Sequence, residues 1–155
     1  MIDFLRQQRA TALRVIATSW CGLRAWYPVD MRGVQVEVKF RRGWGSTGQA
    51  TTSRTHGQAD VIVRLGEDEA DGLATLLHEL AHVAAQRRGY DGHDQGWRSI
   101  FRAAVLEVFG EEIVDQGGNI PLTSRVADAF RRKWRIQLSA GQPERLTEDE
   151  TDEDR

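Results

Sequence analysis

The chain is predicted to adopt an α+β fold on three observations. Val34, Val36, Val38 and Phe40 alternate with Gln35, Glu37 and Lys39, and Val61, Val63 and Leu65 alternate with Asp60, Ile62 and Arg64. That two-residue period marks strands with one buried face. Longer segments beginning near Asp3, Ala70, Asp94 and Leu122 instead repeat apolar residues at helical spacing. The apolar strand faces need covering, and the predicted helices are the partners available.

Each element has a local reason. Phe4, Leu5, Ala12, Leu13, Ile16 and Ala17 form one face of a first helix running from Asp3, its candidate cap, to about Trp20. Pro28, Asp30 and Gly33 then punctuate the chain before the first strand. Arg41 to Gly48 is a glycine-rich turn containing Trp44. The polar segment Gln49 to Thr55 reads as a strand returning from that turn in a hairpin of unreadable register. His56-Gly57 is a tight turn, and Ala59 to Leu65 is the second confident strand.

Gly66 to Gly72 is an acidic connector in which Asp68 or Asp71 can cap the next helix. That helix spans Ala70 to Arg88, carries the stripe Leu73, Leu76, Leu77, Leu80 and Ala84, and stops at Gly89. After the Tyr90-Asp91-Gly92 turn, Asp94 is the N-cap of a third helix. Its face is Trp97, Ile100, Phe101, Ala104, Val105 and Val108, so Trp97 and Phe101 read as core residues, and it ends near Gly110. A polar break from Asp115 to Pro121 precedes a basic amphipathic helix over residues 122–138, with Val126, Ala127, Phe130, Trp134 and Leu138 on one side. Arg125, Arg131, Arg132, Lys133 and Arg135 surround it, as on a solvated face or a surface for nucleic acid or a partner.

At 155 residues the chain reads as one domain over residues 1–138, followed by an acidic, disordered tail over residues 139–155. The tail sets seven acidic residues against two arginines, so the body alone is near +3 although the whole chain is −2. Lys39 and Lys133 are the only lysines. The arginine excess suits phosphate contact but supports nucleic-acid binding only weakly. No apolar run approaches the length of a membrane helix and the start lacks a signal-peptide pattern, so a soluble cytoplasmic protein is expected. Cys21, the one cysteine, excludes an internal disulfide and a four-cysteine zinc ribbon, and reads as a buried thiol.

The chemistry is concentrated in His78-Glu79-Leu80-Ala81-His82. On a helix, imidazoles four residues apart can grip one metal ion while the intervening carboxylate activates a water. His93, in a short loop eleven residues on, is the first choice for a third ligand. Three histidines on zinc leave the open position of a catalytic site. Glu107, Glu111 or Glu112 would instead supply a carboxylate ligand, and Asp94 reads as a cap or a support for a ligating imidazole. Zinc acidifies water and polarises a carbonyl, and Glu79 would move a proton from that water to the leaving amine, which addresses both halves of amide hydrolysis. Tyr90, His56 and nearby arginines are the candidates for stabilising charge opposite Glu79, and no spacing singles one out. One edge of the strand Ala59 to Leu65 is expected to line the cleft and pair with an extended peptide.

The segment from Ala59 through Phe109 resembles the zincin metallopeptidases, in particular the compact SprT-like group and small actinobacterial metallohydrolases. The resemblance rests on a strand leading into a helix with His78, Glu79 and His82, then His93 ahead of a helix bearing Trp97. Asp94 stands where that pattern has glycine, and Arg88 stands where the longer metzincin pattern has its third histidine. The resemblance implies a minimal zincin-like fold, with a small mixed or antiparallel sheet packed against the active-site helix and further helices. It implies a zinc-dependent endopeptidase with Glu79 catalytic and His78, His82 and His93 on the metal, acting on a protein substrate with possible DNA association. Two other classes stay open: a metal-dependent hydrolase of a non-peptide amide or small substrate, and a catalytically idle zinc-binding domain.

Overall fold

In the computed structural model the described residues are 2–40, 48–52, 57–66, 69–113 and 123–141. Trp44, His56, Asp68, the break from Asp115 to Pro121 and the acidic residues of the tail lie outside them. The elements are α1 (Ile2–Trp20), a 3-10 turn (Pro28–Met31), β1 (Val34–Phe40), β2 (Gly48–Thr52), β3 (Ala59–Leu65), α2 (Glu69–Arg87), α3 (Gln95–Phe109) and α4 (Thr123–Gly141). This is an α+β arrangement in which helices cover one face of a mixed three-stranded sheet.

The sheet order is β1-β3-β2, with β3 parallel to β1 and antiparallel to β2. The expected hairpin between the first strand and the polar segment after it is therefore not formed. Both pair with β3 instead. The physical reason lies in their side chains: Ala59, Val61, Val63 and Leu65 of β3 are all buried, whereas β2 is a short, polar strand suited to an edge. The central place of β3 also overturns its expected role in pairing with a peptide, because both its edges are already used. β2 is the outer strand of the described sheet on the side that packs against α2. The register sets Ala50 and Val36 on either side of Val61, which turns one apolar face toward the helices.

In α2 the predicted stripe of Leu73, Leu76, Leu77, Leu80 and Ala84 is fully buried, and so are Ala74, Ala81, Val83 and Ala85. A helix apolar on most of its circumference belongs inside, and α2 packs against the sheet, α3 and α4 together. Gly89, with φ of 91°, adopts the left-handed conformation that ends the helix, and the Tyr90 amide donates back to the Ala85 carbonyl at 2.9 Å.

The helix end is clamped to the 3-10 turn. Arg88 donates to the buried Asp30 carboxylate at 2.6 and 3.1 Å, and that carboxylate also accepts from the Tyr27 amide at 2.8 Å. Arg87 donates to the carbonyls of Asp30 at 2.9 Å, Gly57 at 3.1 Å and Arg32. In α1 the buried face is Ala10, Leu13, Ala17 and Trp20, while Phe4 and Leu5 are exposed, contrary to the expected face. Arg6 already sits over Phe40, the last residue of β1, so the turn before it projects past the strand.

Val126, Ala127, Ala129 and Phe130 bury the apolar side of α4, and the Phe130 ring meets Trp20 and Phe109. Part of its basic surface is engaged within the chain. Arg131 pairs with Asp71 at 3.1 Å and with Asp128, and Lys133 donates to the Phe109 carbonyl at 2.7 Å, capping α3. Among the described residues no helix is long and apolar enough to cross a membrane.

Candidate metal centre

One helical turn of α2 stacks His78 over His82, and their Nε2 atoms lie 3.1 Å apart. His93 reaches them from the turn before α3, with its Nε2 also 3.1 Å from that of His78. The turn is fixed on both sides of His93. One Asp94 oxygen accepts from the Trp97 amide at 3.0 Å as the α3 cap, and the other accepts from the Asp91 amide at 3.2 Å. Those amide bonds, led by the one from Trp97, hold the Asp94 carboxyl below its ordinary pKa. Arg98 donates to the His93 carbonyl at 2.9 Å, and the Tyr90 ring lies directly over Gly96.

Trp97 forms the wall behind the triad. Its ring stacks on His82 with centroids 4.9 Å apart and lies 4.7 Å from His78 and 4.5 Å from His93, and Phe101 stacks behind it at 4.9 Å. The Trp97 indole N–H donates to the His78 carbonyl at 3.4 Å, which ties α3 to the α2 backbone at His78 itself. Burial against this wall, reinforced by the neighbouring imidazoles, depresses the His78 pKa to about 3 and that of His82 to about 4. Both rings are therefore neutral at neutral pH.

The donor chemistry of the triad fits a metal ion better than it fits hydrogen bonding. His78 Nδ1 lies 2.9 Å from Thr123 Oγ1. In the tautomer that donates Nδ1–H to that hydroxyl, Nε2 carries one lone pair, yet the Nε2 atoms of His82 and His93 both approach it at 3.1 Å. One lone pair cannot satisfy two donors well. A single metal ion held by His78, His82 and His93 would use all three lone pairs. The three ligand atoms lie within 4.8 Å of one another, and among the described residues this is the one group of His, Cys, Asp and Glu side chains so placed.

Glu79 occupies the next position on α2 and is 9% exposed. Burial raises its pKa to about 7, and its carboxylate has no hydrogen-bond partner among the described residues. The start of β2 packs directly on it. A Cβ at Gly48 would meet Thr75 Cγ2 at 2.5 Å, the Ile62 carbonyl at 3.1 Å and Glu79 Cγ at 3.2 Å, so only glycine lets the strand come this close. Further along, Thr52 Oγ1 donates to Gln86 Oε1 at 2.8 Å, and β2 thus runs beside the face of α2 that carries Glu79.

The other candidates are placed elsewhere. Glu107 accepts from the amides of Arg24 and Ala25, both at 2.8 Å, and so fastens the segment after α1 to α3. Glu112 pairs with Arg102, and Glu111 is exposed and outside the triad. Arg88 is spent on Asp30, Asp94 on the α3 cap, and Trp97 and Phe101 are buried core. Tyr90 is 42% exposed at the turn. Cys21 is half-buried, with its thiol pKa raised by burial. Thr123 and Gly48 emerge only from the fold. A threonine at the start of a predicted helix and a glycine entering a predicted strand were their sequence signals, and neither pointed to the histidines. Comparisons with protein-family models, curated proteins and solved structures find no match to this chain.

Proposed function

We propose that this chain is a zinc-dependent endopeptidase of zincin-like design acting in the cytoplasm. The observation that carries the proposal is the convergence of three imidazoles, His78, His82 and His93, beside a buried carboxylate with no described hydrogen-bond partner on the same helix. Neutral nitrogen donors of this kind suit zinc, and a three-histidine set leaves a coordination position free. When bound, zinc supplies Lewis acidity, lowering the pKa of water and polarising a carbonyl.

The chain's own residues would do the rest. Glu79 would take a proton from the attacking water and return it to the leaving amine. Thr123 holds His78 in the tautomer that presents Nε2, and Trp97 keeps solvent from the back of the rings. β2, the outer strand of the described sheet, lies beside Glu79 and is the strand placed to meet an extended peptide, which favours a polypeptide over a small amide.

The test is cleavage of a proteome-derived peptide library by wild type, by wild type stripped of metal and by Glu79→Gln. Cleavage is expected from metal-loaded wild type alone, with a loss of at least about 100-fold on removing the base. Equal cleavage by Glu79→Gln would exclude it as the base, and no cleavage by any form would favour the small-substrate or idle-domain readings. DNA association is a secondary proposal, tested by adding single-stranded and duplex DNA to the same reactions. Stimulation or binding would support it, and the absence of both would reject it.

A further inference from the structure

The three imidazoles are not held alike. His78 and His82 stand on α2, which is buried over most of its circumference, whereas His93 is exposed on the turn between α2 and α3. An exposed side chain on a turn gains little from packing, and a ligand that is ordered only on binding costs affinity. Local contacts have to stiffen the turn instead. The Asp94 amide donates to the Asp91 carbonyl at 3.3 Å, the Asp91 amide to an Asp94 carboxylate oxygen at 3.2 Å, and Arg98 Nε to the His93 carbonyl at 2.9 Å. These bonds tie the turn to itself and to α3, and none of them reaches the end of α2.

Tyr90 spans that junction. Its amide donates to the Ala85 carbonyl at 2.9 Å and so belongs to the end of α2, while its ring lies on Gly96 in the first turn of α3. A Cβ at Gly96 would collide almost equally with Cγ, Cδ1 and Cδ2 of the ring. A point equidistant from three atoms of a hexagon lies on its axis, so a Cα hydrogen of Gly96 points into the electron-rich face. His93 is the midpoint of the loop closed in this way, three residues from Tyr90 and three from Gly96. The ring is exposed, so it adds little to the core, and the Tyr90 hydroxyl has no hydrogen-bond partner among the described residues.

We infer that Tyr90 is a positioning residue of the metal centre, whose ring, seated on Gly96, closes the turn that presents His93. The inference rests on the metal-centre reading for the use made of His93, whereas the closure of the turn stands on the contact alone. It gives Tyr90 a role through the face of its ring instead of through its hydroxyl, and it explains a glycine inside the first turn of a helix, where alanine is otherwise the better helix former.

Four variants of the full chain test this: Tyr90→Phe, Tyr90→Ala, Gly96→Ala, and Tyr90→Ala combined with Gly96→Ala. Zinc affinity is read by chelator competition, and amide hydrogen exchange at Asp91 and Asp94 is read in the metal-free protein. Tyr90→Phe keeps the ring and is expected to match wild type within about twofold in both. Tyr90→Ala is expected to lose about 10-fold in zinc affinity and to exchange these amides at least about fivefold faster. Gly96→Ala separates positioning from stability. Its methyl displaces the exposed ring into solvent, so affinity is expected to fall about as far, while alanine favours α3 and the melting temperature of the metal-free protein is expected not to fall. In the combined variant the second substitution is expected to add less than about twofold, because the ring it would displace is already gone. The Gly96 Hα resonance is expected upfield in wild type and Tyr90→Phe, under the ring, and to move downfield in Tyr90→Ala.

For a chain that binds zinc, unchanged affinity or unchanged exchange in Tyr90→Ala, a loss in Tyr90→Phe equal to that in Tyr90→Ala, or full additivity in the combined variant would each overturn the inference. A wild type that binds no zinc while Tyr90→Ala speeds exchange at Asp91 and Asp94 would uphold the closure of the turn by Tyr90 and count against the metal centre. No zinc together with unchanged exchange would reject both.

Discussion

The hydroxyl of Thr123 shows at the scale of single residues how much of the site depends on a distant segment. It lies 2.9 Å from His78 Nδ1 although the two residues are 45 apart in sequence. Replacing it with valine removes the partner that fixes the imidazole while preserving shape, and zinc affinity is expected to fall about 10- to 100-fold. A chelator-competition titration measures this, with circular dichroism confirming the fold.

The buried ionisable groups give a second residue-scale prediction, for the metal-free protein. His78 and His82 have pKa values lowered from 6.5 to about 3 and about 4, so their contribution to stability is present above pH 6.5 and is lost as pH falls through the folded values. Glu79 has its value raised from 4.5 to about 7, so its contribution is present below pH 4.5 and is lost as pH rises through 7. Between pH 4.5 and 6.5 the unfolded chain thus gains two protons on the histidines while the folded chain keeps one on Glu79. Stability of the metal-free protein is expected to fall on acidification through that window. Each net proton is worth about 1.4 kcal/mol per pH unit, and Glu79→Gln removes the opposing contribution, so the slope is expected to roughly double. Urea unfolding in the presence of a chelator, at several pH values, reads this out. An identical slope in the two proteins would show that Glu79 is not protonated in the folded state.

The motif residues were legible because their chemistry repeats with the helix: His78, Glu79 and His82 needed only a helical period, and His93 only a short turn ahead of a cap. At the scale of elements legibility was uneven for a physical reason. The helices carry their boundaries locally, in Asp94 and Gly89, and the strands β1 and β3 carry theirs in alternation. Strand pairing is not local. The choice of β3 over β1 as partner for β2 reflects which strand can be buried from both sides, and a five-residue polar segment does not encode that.

Two substitutions test how these elements hold the site. Gly48→Ala forces a Cβ against Thr75 and the Ile62 carbonyl, and is expected to cost about 1–3 kcal/mol and to displace Glu79. Its signature is a drop in turnover larger than any drop in zinc affinity. Asp94→Ala removes the α3 cap and one tie on the His93 turn, and is expected to cost about 0.5–2 kcal/mol in thermal unfolding. In contrast to Gly48→Ala it should weaken zinc binding, since it loosens a ligand instead of the base.

Across the whole molecule, the sheet, α3 and α4 each deliver one component to a central helix: β2 closes on Glu79, the turn before α3 brings His93, and α4 brings Thr123. The α+β class followed from periodicity, because a helix as apolar as α2 must lie inside and two alternating strands must be covered. The convergence itself was less legible. Glu107 is an alternative ligand to His93 by sequence alone, but its carboxylate lies on the amides of Arg24 and Ala25, where it serves the α1 to α3 junction.

The measurement that bears most directly on the metal centre is metal analysis with X-ray absorption on the full chain and on its His93→Ala and Glu79→Gln variants. Wild type and Glu79→Gln are expected to hold about one zinc per chain through three imidazoles and one oxygen donor, and His93→Ala to lose an imidazole and most of the affinity. A chain that binds no zinc, or a His93→Ala variant with an unchanged metal environment, would contradict the proposed centre.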